Sequence, residues 1–152
     1  MSTGPLKRDG ANGVIAYPRK IVTALANGAI TLGDVVKVET DVSASPDPDD
    51  YGAAGFIVTV TAESGSPLAC GVALESVTDG NPVQIQVAGF NDTSTSAEAI
   101  DIGDSCDGSA NGDVRETDTA SATVQPFAVC VNAFAGTTND GAILIIDKGW
   151  FG

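Results

Sequence analysis

Apolar and polar residues alternate along much of the chain with a period of two, the spacing of a strand with one face buried and one wet. Val83–Phe90 (VQIQVAGF) shows it best: Val83, Ile85 and Val87 point one way, Gln84 and Gln86 the other. Asp34–Thr40 (DVVKVET) sets Val36 and Val38 against Lys37 and Glu39, and Phe56–Thr61 (FIVTVT) is similar. Leu68–Val77 and Phe127–Phe134 are mostly apolar on both faces. Ala142–Ile146 (AILII) is apolar throughout, as expected of a central strand or one buried by a neighbour. Turn signals separate these runs at Asn27-Gly28, Asp79-Gly80-Asn81-Pro82, Asn111-Gly112-Asp113 and Asn139-Asp140-Gly141. A helical turn is expected only at Thr95–Ile100, where Thr95 and Glu98 have capping-box spacing. The pattern predicts an all-β fold, a small antiparallel barrel or sandwich.

An internal echo divides this pattern. Ile30-Thr-Leu-Gly-Asp34 returns as Ile100-Asp-Ile-Gly-Asp104, and Ala-Gly-Phe90 returns as Lys-Gly-Trp150. A body of two half-repeats, about 28–90 and 98–152, is expected inside one β domain spanning 20–152. The variable loops would be Val42–Ala54 and Cys106–Ala122. Residues 1–19 form no periodic pattern and are broken by Gly4, Pro5, Gly10, Gly13 and Pro18, which predicts an extended arm.

Charge separates arm from body. The 152 residues carry 20 acidic and seven basic side chains, a net charge of −13. Lys7, Arg8, Arg19 and Lys20 meet only Asp9 in the first 20 positions, so +3 resides there and −16 in the remainder. An acidic body repels phosphate backbones, and no nucleic-acid partner is expected. No apolar run approaches the roughly 20 residues that span a bilayer, and the start lacks a signal-peptide core. A protein made soluble, in a reducing compartment, is therefore expected. Cys70, Cys106 and Cys130 are odd in number and far apart, which predicts buried free thiols.

The chain has no histidine. That removes the Ser-His-Asp and Cys-His nucleophile pairs, the commonest zinc ligand and the usual base near neutral pH. Carboxylate chemistry of the glycosidase kind would fall to Glu39, Glu63, Glu75, Glu98 or Glu116, yet one Trp and two Tyr offer little for a sugar-stacking cleft. Asp47, Asp49 and Asp50, and then Asp104, Asp107 and Asp113, cluster in loops; the second group superficially resembles a calcium loop but lacks the alternating ligand spacing and closing glutamate, and both are read as solvated acidic loops. The expectation is a protein that is no enzyme and holds no cofactor or metal.

Two features predict contact surfaces instead. The arm carries Lys7, Arg8, Tyr17, Arg19 and Lys20, suited to ordering on a partner through charge-assisted bonds. The sole Trp stands beside a Phe at Trp150-Phe151, and either closes the barrel or anchors a neighbouring subunit.

The order of Gly33-Asp-Val-Val-Lys37, Ala69-Cys-Gly-Val-Ala-Leu74, Pro82-Val-Gln-Ile-Gln-Val-Ala-Gly-Phe90 and Ile102-Gly-Asp104 resembles the small phage capsid decoration, or cement, proteins. The resemblance covers roughly 28–105, with no counterpart for the arm or for loop 42–54. It implies a virion subunit on the outer face of an icosahedral head, bound to the major capsid protein and stabilising the expanded shell. It further implies self-association, as a homotrimer or in some relatives a dimer. Competing expectations are another virion part, such as a tail or fibre-base subunit, and a glycan-binding module using loops 42–54 and 106–122.

Overall fold

The computed structural model describes residues 19–39, 56–63, 65–117 and 125–151. Nine strands form in chain order: β1 (Lys20–Ala26), β2 (Val35–Val38), β3 (Ile57–Val60), β4 (Ala69–Ala73), β5 (Pro82–Asn91), β6 (Ser105–Gly108), β7 (Val114–Glu116), β8 (Ala128–Asn132) and β9 (Ala142–Ile145). A single 3-10 turn at Ala110–Gly112 is the one helical element among the described residues. The fold is all-β, as the period-two pattern predicts.

The strands run in the order β1-β3-β2-β4-β5-β9-β8-β6-β7, and an additional β1–β5 pairing closes the first five into a barrel. Eight of the nine strand pairings are antiparallel. The exception is β1 on β3, where Leu25 and Ala26 lie beside Ile57 and Val58 in parallel. Each barrel strand sends its apolar alternates inward: Ala24 and Ala26 from β1, Val36 from β2, Val58 from β3, Cys70 and Ala73 from β4, and Val83, Ile85 and Val87 from β5. Burying one such aliphatic side chain contributes about 1.5–3 kcal/mol, so the barrel stands on this cluster without disulfides.

A second cluster lies between the barrel and the remaining strands. Val35, Ala69 and Val72, on the outer surface of β2 and β4, pack with Cys106, Val114, Phe127, Phe134, Ile143 and Ile145. Strands β2 and β4 are thus covered on both sides, which explains why β4 is apolar on both faces.

The two I-x-[LI]-G-D segments occupy matching places. Ile30 bridges Val77, and Ile100 bridges Phe134. The Gly33 N–H donates to Ala73 O at 2.9 Å, and the Gly103 N–H to Cys130 O at 2.8 Å. In each segment the aspartate carboxylate accepts the N–H three residues back, Thr31 for Asp34 and Asp101 for Asp104. After the turn, β2 lies between β3 and β4 as β6 lies between β7 and β8. The parallel closure recurs too: Ser96 bridges Val114 in parallel, as Ala26 pairs Val58.

Three expectations need correction. Residues 95–100 form no helical turn, because their backbone is committed elsewhere: Val114 N–H donates to Thr95 O and Ala97 N–H to Val114 O. The Glu98 carboxylate accepts Glu116 N–H, instead of capping a helix. Much of the expected loop 106–122 is strand, since β6 and β7 pair with each other and β6 with β8. Gln86, assigned to a solvent face, is fully buried. Loop 42–54 lies outside the described residues.

The matched turns generate a test. Gly33 and Gly103 both hold positive φ, at 91° and 96°. A Cβ on Gly103 meets nothing within 4 Å, whereas one on Gly33 lies 2.3 Å from Thr93 O, a backbone atom. Gly103→Ala is expected to cost about 1–2 kcal/mol from backbone strain. Gly33→Ala should cost a further 1–3 kcal/mol or so, because the Thr93 carbonyl must move. Urea unfolding midpoints of the two variants check the difference.

Candidate functional site

Of the arm residues singled out by sequence, Lys7, Arg8 and Tyr17 lie outside the described residues. Arg19 is exposed and donates from Nη2 to Gln86 Oε1 at 3.4 Å. Lys20 opens β1 opposite Ala88, and its Nζ lies 3.7 Å from an Asp147 carboxylate oxygen. That ion pair is partly exposed and worth under about 1 kcal/mol. It places the start of β1 against the end of β9.

Trp150 and Phe151 differ in role. Phe151 is half-buried against the barrel cluster, its ring centroid 4.4 Å from that of Phe56 and tilted by 44°. Trp150 meets Phe151 edge-on at 6.5 Å and remains 45% exposed. Lys148 holds this segment in place. Its ammonium donates to Pro67 O at 3.2 Å and Ala69 O at 2.9 Å, and it stands 4.7 Å over the Trp150 ring. Burial among these groups pulls the Lys148 pKa down. Burial pushes the Cys70 thiol up to about 12 against the pull of the Lys148 charge, far from a reactive thiolate.

A second group of exposed apolar side chains runs across β5, β9 and β8, apart from the single residues Ile21, Leu32 and Ile102. Phe90 of β5 stands opposite Leu144 of β9, and Leu144 opposite Val129 of β8. Phe90 is 49% exposed and Ile146, just past the end of β9, 43%. Sequence reasoning missed this row. The signal was present in AILII, apolar on both faces.

Carboxylates gather where the two sets of strands meet. Asp107 is fully buried and accepts from Arg115 Nε at 2.8 Å. Its Oδ2 has no hydrogen bond among the described residues, the nearby Gly65 N–H being committed to Gly108 O. Burial raises the Asp107 pKa against the pull of Arg115. Burial also raises Asp34, with the Asp113 charge adding to it, and raises Asp113 itself. Among the described residues, no three His, Cys, Asp or Glu side chains gather closely enough to hold an ion.

These placements give two predictions. Phe151→Ala should cost about 1–3 kcal/mol through loss of its packing on Phe56, while Trp150→Ala should cost less than about 1 kcal/mol. Denaturant titration separates the two. The second concerns acid. Asp34, Asp107 and Asp113 bind protons more tightly folded than unfolded, so they add stability as pH falls from neutral toward 3.8, their ordinary value. Asp140, lowered by the Thr138 hydroxyl, acts oppositely, and its contribution is lost below 3.8. The melting temperature should therefore peak between neutral pH and 3.8, as read by melts across a pH series.

No family model and no curated protein matches the chain. Among solved structures the chain is similar to the N base of the head fiber gp8.5 in bacteriophage phi29. The similarity covers 86% of this chain and 96% of that one, with 19% sequence identity and a TM-score of 0.56. At this identity the likeness is one of fold: the arrangement of strands described above is shared with a protein domain from a phage head.

Proposed function

We propose that the chain is a structural protein of a phage virion, seated on the outer face of the head. The observation that carries this reading is the fold shared, over nearly the whole of both chains, with the base of a phage head fiber. The order of strand motifs, which resembles capsid decoration proteins, supports the same location independently. The acidic body suits crowding on a shell, because neighbouring subunits repel at a distance and stay soluble. Docking across several shell subunits would make weak contacts additive, so no single site needs high affinity. No catalytic step enters this reading.

Two head-bound roles fit it. A cement subunit stabilises the expanded shell, the role that the motif order supports. A fiber base carries a projecting part, the role that the phi29 neighbour supports. Co-sedimentation with purified phage shells tests the common reading: binding to expanded shells and not to unexpanded ones is expected, and failure to bind expanded shells would sink it. Lys7→Glu with Arg8→Glu should weaken that binding most at low salt. The two roles separate in the same preparation, since a cement subunit raises the temperature at which the shell breaks and a base leaves it unchanged.

A further inference from the structure

A groove of about 480 Å³ opens where the start of β1 meets the end of β9, beside the bend in β5. Ala88 and Gly89 of β5 line it together with Leu144 of β9 and Ile146 just past that strand. Leu144 is half-buried and Ile146 exposed. The charged groups of the lining, Lys20 and Asp147, pair with each other at 3.7 Å. What the groove offers a ligand is therefore apolar surface with no unpaired charge.

The chain reaches β1 at this groove. Lys20 stands opposite Ala88 and is itself part of the lining. Arg19, one residue earlier, donates to Gln86 Oε1 at 3.4 Å. Both side chains thus hold the backbone at the groove. Just before them in sequence stand Val14, Ile15, Ala16, Tyr17 and Pro18, the longest apolar run in the first 19 residues. Pro18 disfavours a helical backbone at Tyr17 and biases it toward the extended form. At about 3.3 Å per extended residue, Val14–Tyr17 can span about 13 Å.

We infer that this groove seats residues 14–17 of the same chain, which lie outside the described residues, and so separates an anchoring segment from the basic Lys7-Arg8 segment beyond it. Three observations favour this occupant. Its attachment point is the groove's own lining, since Lys20 belongs to both. Its composition matches, because Val14, Ile15, Ala16 and Tyr17 carry no charge at neutral pH and the Lys20–Asp147 pair needs no further partner. An uncharged segment enters without stranding a charge out of water. Lastly, only Pro18 and Arg19 separate it from Lys20. So short a tether gives an effective concentration of millimolar order, at which a modest apolar contact suffices. The inference goes beyond the virion reading and does not rest on it.

Thermal melts of the full chain test it through a double-mutant cycle. Ile15→Ser with Tyr17→Ser should lower the melting temperature by about 3 °C or more, whereas Lys7→Glu with Arg8→Glu should leave it within about 1 °C. Ile146→Ser, on the groove side, should lower it too, and combining it with the Ile15 and Tyr17 changes should cost less than the sum of the separate losses. If Ile146→Ser does not melt cooperatively, Leu144→Ala takes its place in the cycle. An unchanged melting temperature for the Ile15 and Tyr17 variant would overturn the inference, and so would strictly additive losses. A loss that vanishes on tenfold dilution would also overturn it, because the segment would then be seated on another molecule. The melts use no shells, so their failure leaves the shell-binding result standing, and the reverse holds too.

Discussion

Everything in the structure depends on β5 serving two sheets at once. Its first part pairs with β4 on one side and β1 on the other, and its last three residues pair with β9. The change happens at Gly89, where φ is 96°, next to an irregularity in the β1 register. A strand that turns in this way takes carbonyls out of its ladder, and a buried carbonyl without a partner costs about 1–3 kcal/mol. Gln86 meets that need. Its side-chain amide donates to Ala88 O at 3.1 Å and Phe90 O at 2.8 Å, on either side of the glycine. Its own oxygen accepts from Asn91 at 3.1 Å and, at longer range, from Arg19. Asn91 in turn accepts from the Thr93 N–H and from the hydroxyls of Thr93 and Ser94. A buried amide network of this kind is favourable only when all of its members are satisfied, and here the members hold the one bend that joins the two sets of strands.

That dependence explains which parts of the fold were legible. Period-two alternation marks strands wherever one face is wet, and the repeated Ile…Gly-Asp segment marks a turn by its own chemistry, a glycine at positive φ and an aspartate accepting a nearby N–H. Local pattern could not show Gln86 as buried, since a glutamine at an alternate position looks the same whether it meets water or a bent strand. Strands β6 and β7 were hidden for a related reason. SCDG and VRE have the composition of a loop, and become strands because β8 and Ser96 offer them partners distant in sequence. Strand β1 pairs with β5 and β3, none of which lies near it in the chain, so its place as the closing strand has no local signature.

The candidate contact surfaces were legible only in part. Sequence singled out the aromatic pair at Trp150-Phe151, but rarity of aromatics does not say which ring serves the fold. The structure divides the pair: Phe151 lies on Phe56, and Trp150 faces solvent over Lys148. The basic residues divide too. Arg19 and Lys20 are tied to Gln86 and Asp147, contacts that lie within the barrel's own strands and their neighbours. Composition alone assigned all of them to one arm, since charge along the sequence carries no information about which partner each side chain meets.

The apolar row on β5, β9 and β8 comes from the period-two alternation that also builds the core: Leu144 and Val129 alternate with Ile143, Ile145, Ala128 and Cys130, which are buried in the second cluster. Charge could have marked that face as a surface for water, and elsewhere on this protein acidic side chains are abundant. Here the three strands carry Phe, Leu and Val in register, and the nearest opposite charges cancel. A soluble protein can expose single apolar side chains freely, but a contiguous apolar patch is what interaction sites use. The face differs from the Val35–Val72 face in exposure: Phe90 is half exposed, whereas Val35 and Val72 are fully buried.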